Sequence, residues 1–167
     1  MTDSRASRPE KPHDHGHAAD PDGETAFTAA LNLCREGGIA LTPSRSRILE
    51  ILSREGRPLG AYELIERVGE ATGKRPAPIS IYRALDFLLE NSLIHRLASC
   101  NAFLACDHGH APEIPIAFLI CEICGDVTET TSEALRTSLR DLAAKAKFSP
   151  RAQVIEVTGV CEACAEA

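Results

Sequence analysis

Tryptophan is absent from this 167-residue chain, aromatic residues are only 4% of it, and there is a single methionine. A core built here must therefore be filled by Leu, Ile, Val and Ala, and a small domain with such a core is marginally stable unless something fastens it. Long apolar runs are also missing. No stretch approaches the roughly 20 apolar residues of a membrane span, and the opening "MTDSRASRPEKPHDHGH" lacks the apolar segment of a secretory signal. The expectation is a cytoplasmic chain with no membrane partner. An excess of basic charge is missing too, for the formal net charge is −6. That would argue against a nucleic-acid partner if the charge were evenly spread. Residues 1–40 carry four basic and seven acidic side chains, residues 41–98 nine and seven, and residues 99–167 five and ten. Only the middle segment is basic, so a DNA contact would have to lie there.

What the chain does have is cysteine, seven residues in all. The odd number, in a compartment that keeps thiols reduced, is poorly explained as a disulfide framework and better explained as metal or redox chemistry. Four of the seven stand in two echoing stretches, "CEICG" at 121–125 and "CEAC" at 161–164, separated by 36 residues. A Cys-x-x-Cys turn puts two thiolates on one side of a metal, and two such turns complete a closed tetrahedron around zinc. Cys121, Cys124, Cys161 and Cys164 are thus predicted to form a structural zinc site whose binding energy is folding energy for a small domain. A reversible redox dithiol is the alternative chemistry for the same residues. The closed thiolate set leaves no open position, and no nucleophile and base pair is visible, so an enzyme with a small-molecule substrate is not expected.

Along the chain, residues 1–24 hold Pro, Gly, His and acids with almost nothing to bury, and read as a disordered tail. His13, His15 and His17 alternate within it. Helical spacing then begins. "ETAFTAALNLCREGG" stops at Gly37-Gly38, with Cys34 as a core residue, and a second helix opens with Thr42 as N-cap and Pro43 in the first position and ends at Gly56. "GAYELIERVGEATG" is a third helix and "ISIYRALDFLLENS", after Pro78, a fourth. Two β-patterns follow at 93–98 and 101–106. Three helices and a hairpin after a leading helix is the order of a winged helix-turn-helix, which makes the fourth helix the reader. Its predicted buried stripe is Ile81, Leu85, Leu88 and Leu89. Ser80, Tyr82 and Arg83 are left near its N-terminus, where Arg83 can reach guanine with two hydrogen bonds and Tyr82 a phosphate or a thymine methyl. Beyond the first Cys pair the pattern reads as strand, helix 132–147 and strand 153–158. The fold class is α+β: a winged-helix domain at 25–99, a hinge segment at 100–115, and a small α/β domain at 116–167 stapled by the four cysteines.

A second set of ligand types gathers about the hinge: His95, Cys106, His108, His110 and Glu129. One thiolate with imidazole and carboxylate partners favours zinc, whereas an iron or manganese site leans on His and carboxylate alone.

"LTPSRSRILEIL", "ISIYRALDFLLENSLIH" and the two Cys-x-x-Cys pairs, in this order, resemble the ferric uptake regulator family of metal-dependent repressors. "YRALDFLLE" followed by "LIHR" and then "FLICEICG" is closest to its zinc uptake regulator branch. The resemblance runs from about residue 27 to 164 and implies a homodimer on double-stranded operator DNA, with 100–115 as a hinge and metal-sensing loop and 116–167 as the dimerisation domain. It implies that Arg45 and Arg47 touch the DNA backbone and Tyr82 and Arg83 the bases. It also implies a regulatory zinc held by His95, Cys106, a loop histidine and Glu129. The chain departs from many relatives in lacking a histidine in "EIPIAFLIC", so the loop ligand is His110, with His108 as the alternative. The function expected is zinc-responsive repression of zinc-uptake genes. An iron- or peroxide-responsive regulator of the same family is the nearest alternative, and a thiol redox switch or a zinc-stapled interaction module without DNA binding represents a different class.

Overall fold

The computed structural model describes residues 23–106, 115–150 and 153–166. His13, His15, His17, His108 and His110 lie outside these residues.

Four helices come first: α1 (Gly23–Glu36), α2 (Pro43–Glu55), α3 (Ala61–Thr72) and α4 (Pro78–Glu90). The punctuation of α2 is as predicted. The Thr42 hydroxyl accepts the Arg45 N–H at 3.5 Å, Pro43 needs no such partner at the first position, and Gly56 closes the helix at φ 59, a conformation costly for a residue with a Cβ. Each helix turns one apolar stripe inward: Ile48, Leu49 and Leu52 from α2, Leu64, Ile65 and Val68 from α3, and Ile81, Ala84, Leu85 and Leu88 from α4. Cys34 is buried among them, and burial pushes its thiol pKa up. Leu89, expected in the stripe of α4, only packs against its edge, and Ala84 takes the inner place.

A hairpin of β2 (Ile94–Leu97) and β3 (Ala102–Ala105) follows α4. The link is short and tied down, with the Leu93 N–H bonded to Leu88 O at 2.9 Å and the Ser92 N–H to Leu89 O at 3.0 Å. A two-residue strand, β1 (Leu59–Gly60), adds to β3 through Leu59 opposite Phe103. It is too short to leave a periodic trace in the sequence.

The second sheet has the order β5-β4-β6, built from β4 (Ile116–Cys121), β5 (Val127–Thr131) and β6 (Val154–Gly159). β4 runs antiparallel to β5 and parallel to β6, with α5 (Glu133–Lys145) on the connection between β5 and β6. The Ser132 hydroxyl caps α5 by accepting the Leu135 N–H at 3.4 Å. A final turn of helix, α6 (Glu162–Ala165), ends the described chain. The central strand β4 is a continuous apolar run rather than an alternating one, buried at every position but Leu119.

Register decides how the two sheets meet. Phe118 stands opposite both Glu129 and Glu156, so these three side chains share one face of the sheet. That face packs on the hairpin: Leu97 and Leu104 join Ile116, Phe118, Ile120 and Val127 in a cluster separate from the helical core. Phe118 is fully buried at its centre. Phe118→Ala is therefore expected to cost about 3–5 kcal/mol, the usual loss on emptying such a site. Urea unfolding followed by circular dichroism checks this, and a loss below about 1 kcal/mol would show that the ring is not what joins the sheets.

Candidate metal centre

β4 and β6 run parallel, so both end on the same side of the sheet, and each leads into one Cys-x-x-Cys stretch. The thiol sulfurs of Cys121, Cys124, Cys161 and Cys164 all lie within 4.8 Å of one another. The Sγ atoms of Cys124 and Cys161 are 3.7 Å apart. Four thiolates at about 2.3 Å from a tetrahedral zinc would be spaced by about 3.8 Å, whereas a disulfide needs about 2.05 Å. All described cysteines are free thiols. The donor set, its number and its spacing fit a closed zinc site.

The backbone holds the thiols there. Gly125 takes φ 76, which lets its N–H reach Cys121 O at 2.9 Å and turns the chain back toward β5. Cys121 N–H meets Asp126 O at 2.8 Å, and Glu122 N–H bonds Gly159 O at 2.8 Å, fastening the two stretches together. The second stretch is helical: Cys161 is the N-cap of α6 and Cys164 lies one turn on. The Cys161 N–H points at Cys121 Sγ, 3.4 Å away.

These contacts set the acidities. N–H groups of Cys124 and then Cys161 stabilise the Cys121 thiolate and bring its pKa down to about 6. Desolvation comes first in raising Cys164, which is pushed up to about 12, with hydrogen bonding to its three neighbours adding to the effect. Desolvation also raises Cys124. The Cys121 thiolate forms readily, while Cys124 and Cys164 resist joining it, as expected of sulfurs gathered with no positive charge among them.

The second predicted set divides between the two sheets. His95, on β2, is half-buried with its ring centroid 5.3 Å from that of Phe118. Cys106 is buried just after β3, its N–H bonded to Leu93 O at 3.1 Å. By the hairpin register His95 faces Leu104, so His95 and Cys106 share the face that looks toward the second sheet. Glu129 comes from that sheet, opposite Phe118 on β5. The structure thus brings His95, from the hairpin, and Glu129, from the second sheet, to the same phenylalanine. Among the described residues, the four thiols are the one group of three or more ligand atoms lying within 4.8 Å of each other, and His95, Cys106 and Glu129 do not make a second.

Ser80, Tyr82 and Arg83 are all exposed on the first turns of α4. Ile79, which the sequence did not single out, is 59% exposed beside them. Arg45 has an internal contact unforeseen from sequence: its guanidinium lies 3.4 Å over the Phe87 ring, bracing α2 against α4. Arg47 pairs with Glu50 at 2.8 Å. Glu156 was also missed. Its carboxylate accepts the backbone N–H groups of Ala98 and Ser99 at 2.7 and 2.9 Å. Burial pushes its pKa up, but hydrogen bonds from the Ser99 hydroxyl and the Ser99 and Ala98 backbone outweigh this and hold it below the usual range.

Residues 36–158 match the Ferric uptake regulator family. The chain belongs to that family. It is 36% identical over 137 residues to the zinc uptake regulation protein of Escherichia coli, a match covering 82% of this chain and 80% of the relative. A solved zinc uptake regulator complexed with zinc and DNA superposes with TM-score 0.79 at 34% identity, covering 87% of this chain and 96% of the other. Holo XcZur gives 0.75 at 40% identity, covering 84% and 97%. The apo form of the same protein gives only 0.51, at 37% identity, covering 87% and 99%.

The acidity of Cys121 makes a prediction for the metal-free protein under conditions where circular dichroism shows its C-terminal part still folded. Its pKa is below the ordinary 9.0, so the stability contributed by the thiolate is complete above that value and is lost as pH falls through about 6. Alkylation of Cys121 should accordingly be nearly level above about pH 6 and slow roughly tenfold per unit below it, as measured by peptide mass spectrometry. A rate still climbing between pH 8 and 9, as for an ordinary thiol, would refute the assignment.

Proposed function

We propose that this chain is a zinc-responsive transcriptional repressor, acting as a homodimer on double-stranded operator DNA to silence zinc-uptake genes. The observation that carries this is the chain's likeness to a zinc uptake regulator seen with zinc and DNA, together with a four-thiol cluster at the spacing zinc requires. On this reading the helices α1 to α4 with the β1–β3–β2 sheet form the winged-helix domain, which runs on through β3 to Ala105 and so past the boundary at 99 expected from sequence. The hinge expected at 100–115 then begins only after β3, and 116–167 form the dimerisation domain. Exposed apolar side chains there, including Leu119 and Val157 on the sheet and Leu142 and Phe148 along and beyond α5, support a second copy as their cover.

Cys121, Cys124, Cys161 and Cys164 would hold a structural zinc, and His95, Cys106, Glu129 and His110 or His108 a regulatory one. Zinc, when bound, supplies a dication that stabilises thiolates and draws donors from separate segments to one point. The rest is done by the chain. His95 and Cys106 move with the hairpin, the hairpin with α4, and Glu129 with the second sheet. Coordination of all three fixes the angle at which α4 is presented. Two α4 helices of a dimer then reach major grooves on one face of a palindromic operator, with Ser80, Tyr82 and Arg83 leading, and Arg45 and Arg47 near the backbone. A ligand shifts such an equilibrium only by its difference in affinity for the two arrangements. The greater likeness to holo than to apo XcZur supports this closed arrangement as the one described above.

Arg83→Ala should lose about 1–3 kcal/mol of discrimination between operator and random DNA. Metal content and dimerisation should stay intact, because Arg83 takes no part in the core. Competition binding measures this, and equal weakening on both DNAs would count against base reading.

The two metal sets are separable. Cys121→Ser should lose about one zinc per chain and unfold the C-terminal part, so that the dimer is lost. Cys106→Ser should keep that zinc, the helical signal and the dimer, yet lose zinc-stimulated operator binding, because a neutral hydroxyl is a far poorer zinc ligand than a thiolate. Metal analysis, size exclusion and operator titration with and without zinc test both. A Cys106→Ser protein that still responds to zinc would sink the regulatory assignment, and a folded Cys121→Ser dimer the structural one.

A further inference from the structure

Glu156 belongs to neither metal set and to no DNA-reading surface, yet it makes a contact of long sequence reach. Its carboxylate oxygens take one backbone N–H each from adjacent residues, Ala98 at 2.7 Å and Ser99 at 2.9 Å, across 58 and 57 positions. These donors open the turn of the β2–β3 hairpin, where no strand partner could satisfy them. Within the strand "VIEVTG", Glu156 is the one charged side chain, and the register aims it to the inner face beside Phe118. Glu156 is only half-buried, so these two bonds serve to direct the hairpin rather than to offset a buried charge.

We propose that Glu156 is a positioning residue for operator binding, a metal-independent anchor that fastens the β2–β3 hairpin to the C-terminal sheet and so sets the axis on which α4 is aimed. This rests on the repressor reading above. The hairpin touches the sheet at Phe118 in the middle of the row, and Glu129 and Glu156 flank that residue on opposite sides. The Glu129 flank is the one assigned to the regulatory metal with His95. A metal there, with only an apolar contact beside it, would leave the hairpin free to rock about that contact. A second polar fixture on the β6 flank removes this freedom, and the remaining motion is a hinge that coordination can close. The tight link from Leu88 and Leu89 into β2 passes the hairpin's attitude to α4.

The test uses the full chain, zinc-loaded, as wild type, Glu156→Ala and Glu156→Gln. Amide exchange by nuclear magnetic resonance reads the anchor directly. Exchange at Ala98 and Ser99 should rise by about tenfold or more in Glu156→Ala and less in Glu156→Gln, which keeps an acceptor oxygen. Operator affinity should fall about three- to tenfold in Glu156→Ala and be largely restored in Glu156→Gln, and more free zinc should be needed for half-maximal binding. Metal content and dimer should be unchanged. Spin labels on α4 of the two protomers should give a broader distance distribution in Glu156→Ala, which a purely stabilising residue would not produce in a folded dimer. Should Glu156→Ala lose its helical signal, Glu156→Gln carries the comparison, with smaller changes of the same sign. Unchanged exchange at Ala98 and Ser99 overturns the anchor. Raised exchange with unchanged operator affinity and distances overturns its positioning role. A wild-type chain whose operator binding ignores zinc refutes the repressor reading instead, while exchange and distances still decide the anchor.

Discussion

Two stretches of chain separated by 36 residues have to arrive at one point for four thiols to lie within 4.8 Å, and much of the C-terminal architecture follows from that meeting. Parallel pairing of β4 with β6 is what delivers both stretches to the same end of one sheet. Parallel strands in turn require a crossover, supplied here by β5 and α5. The resulting layer has little else to hold it. α5 buries no residue, and among the described residues the apolar cluster of the sheet is shared with the hairpin of the other half. A metal whose binding free energy is folding free energy is the physical answer to such a core.

The second junction, around Phe118, couples the halves by three different means. The ring supplies non-directional apolar contact. Glu156 supplies directed hydrogen bonds to an otherwise unpaired turn. His95, with its ring 5.3 Å from that of Phe118, and Glu129, opposite Phe118 on β5, bring candidate metal donors from the two halves to the same residue. Apolar contact alone tolerates sliding, and hydrogen bonds and coordination do not. On the proposed reading, a DNA-reading helix that must hold one angle on demand needs the directed kinds, one permanent and one conditional.

Much of this was legible in the chain. The four helices, their caps at Thr42 and Gly56, the hairpin and the thiol pairs announced themselves through local rules of spacing and punctuation. β4 did not, because "IAFLIC" has no alternation, as is usual for a strand covered on both faces, and periodicity cannot separate it from buried helix. β1 and α6 are two and four residues long, shorter than any period. Cys121, Cys124, Cys161 and Cys164 were legible as one site because ligand spacing is a local signature. The likeness of His95, Cys106 and Glu129 to a sensor set came from family resemblance, since whether they can meet depends on how two sheets dock. Glu156 and the Arg45 contact with Phe87 stayed hidden for the same reason. Register across a parallel pair and packing between helices are set by the whole fold. One trace was available: a lone acid in an otherwise apolar or small strand asks what receives it.

The two proposed zinc sites differ in the way a sensor needs. In the thiol cluster the donors come from one sheet end and are already within coordination spacing, with Cys121 acidified by nearby N–H groups. On the proposed reading the all-thiolate set, gathered at one sheet end, is the site that fills first. The other donors are shared between the hairpin and the sheet, and its apparent affinity is the intrinsic affinity reduced by the fraction of molecules whose halves are closed. Fewer thiolates lower it further, one against four. The gap between the sites can thus be set by docking as well as by ligand choice. Any residue that raises the closed fraction without touching metal, as Glu156 is placed to do, tightens zinc and operator binding together. By linkage, operator DNA that binds the closed form must tighten zinc in equal measure.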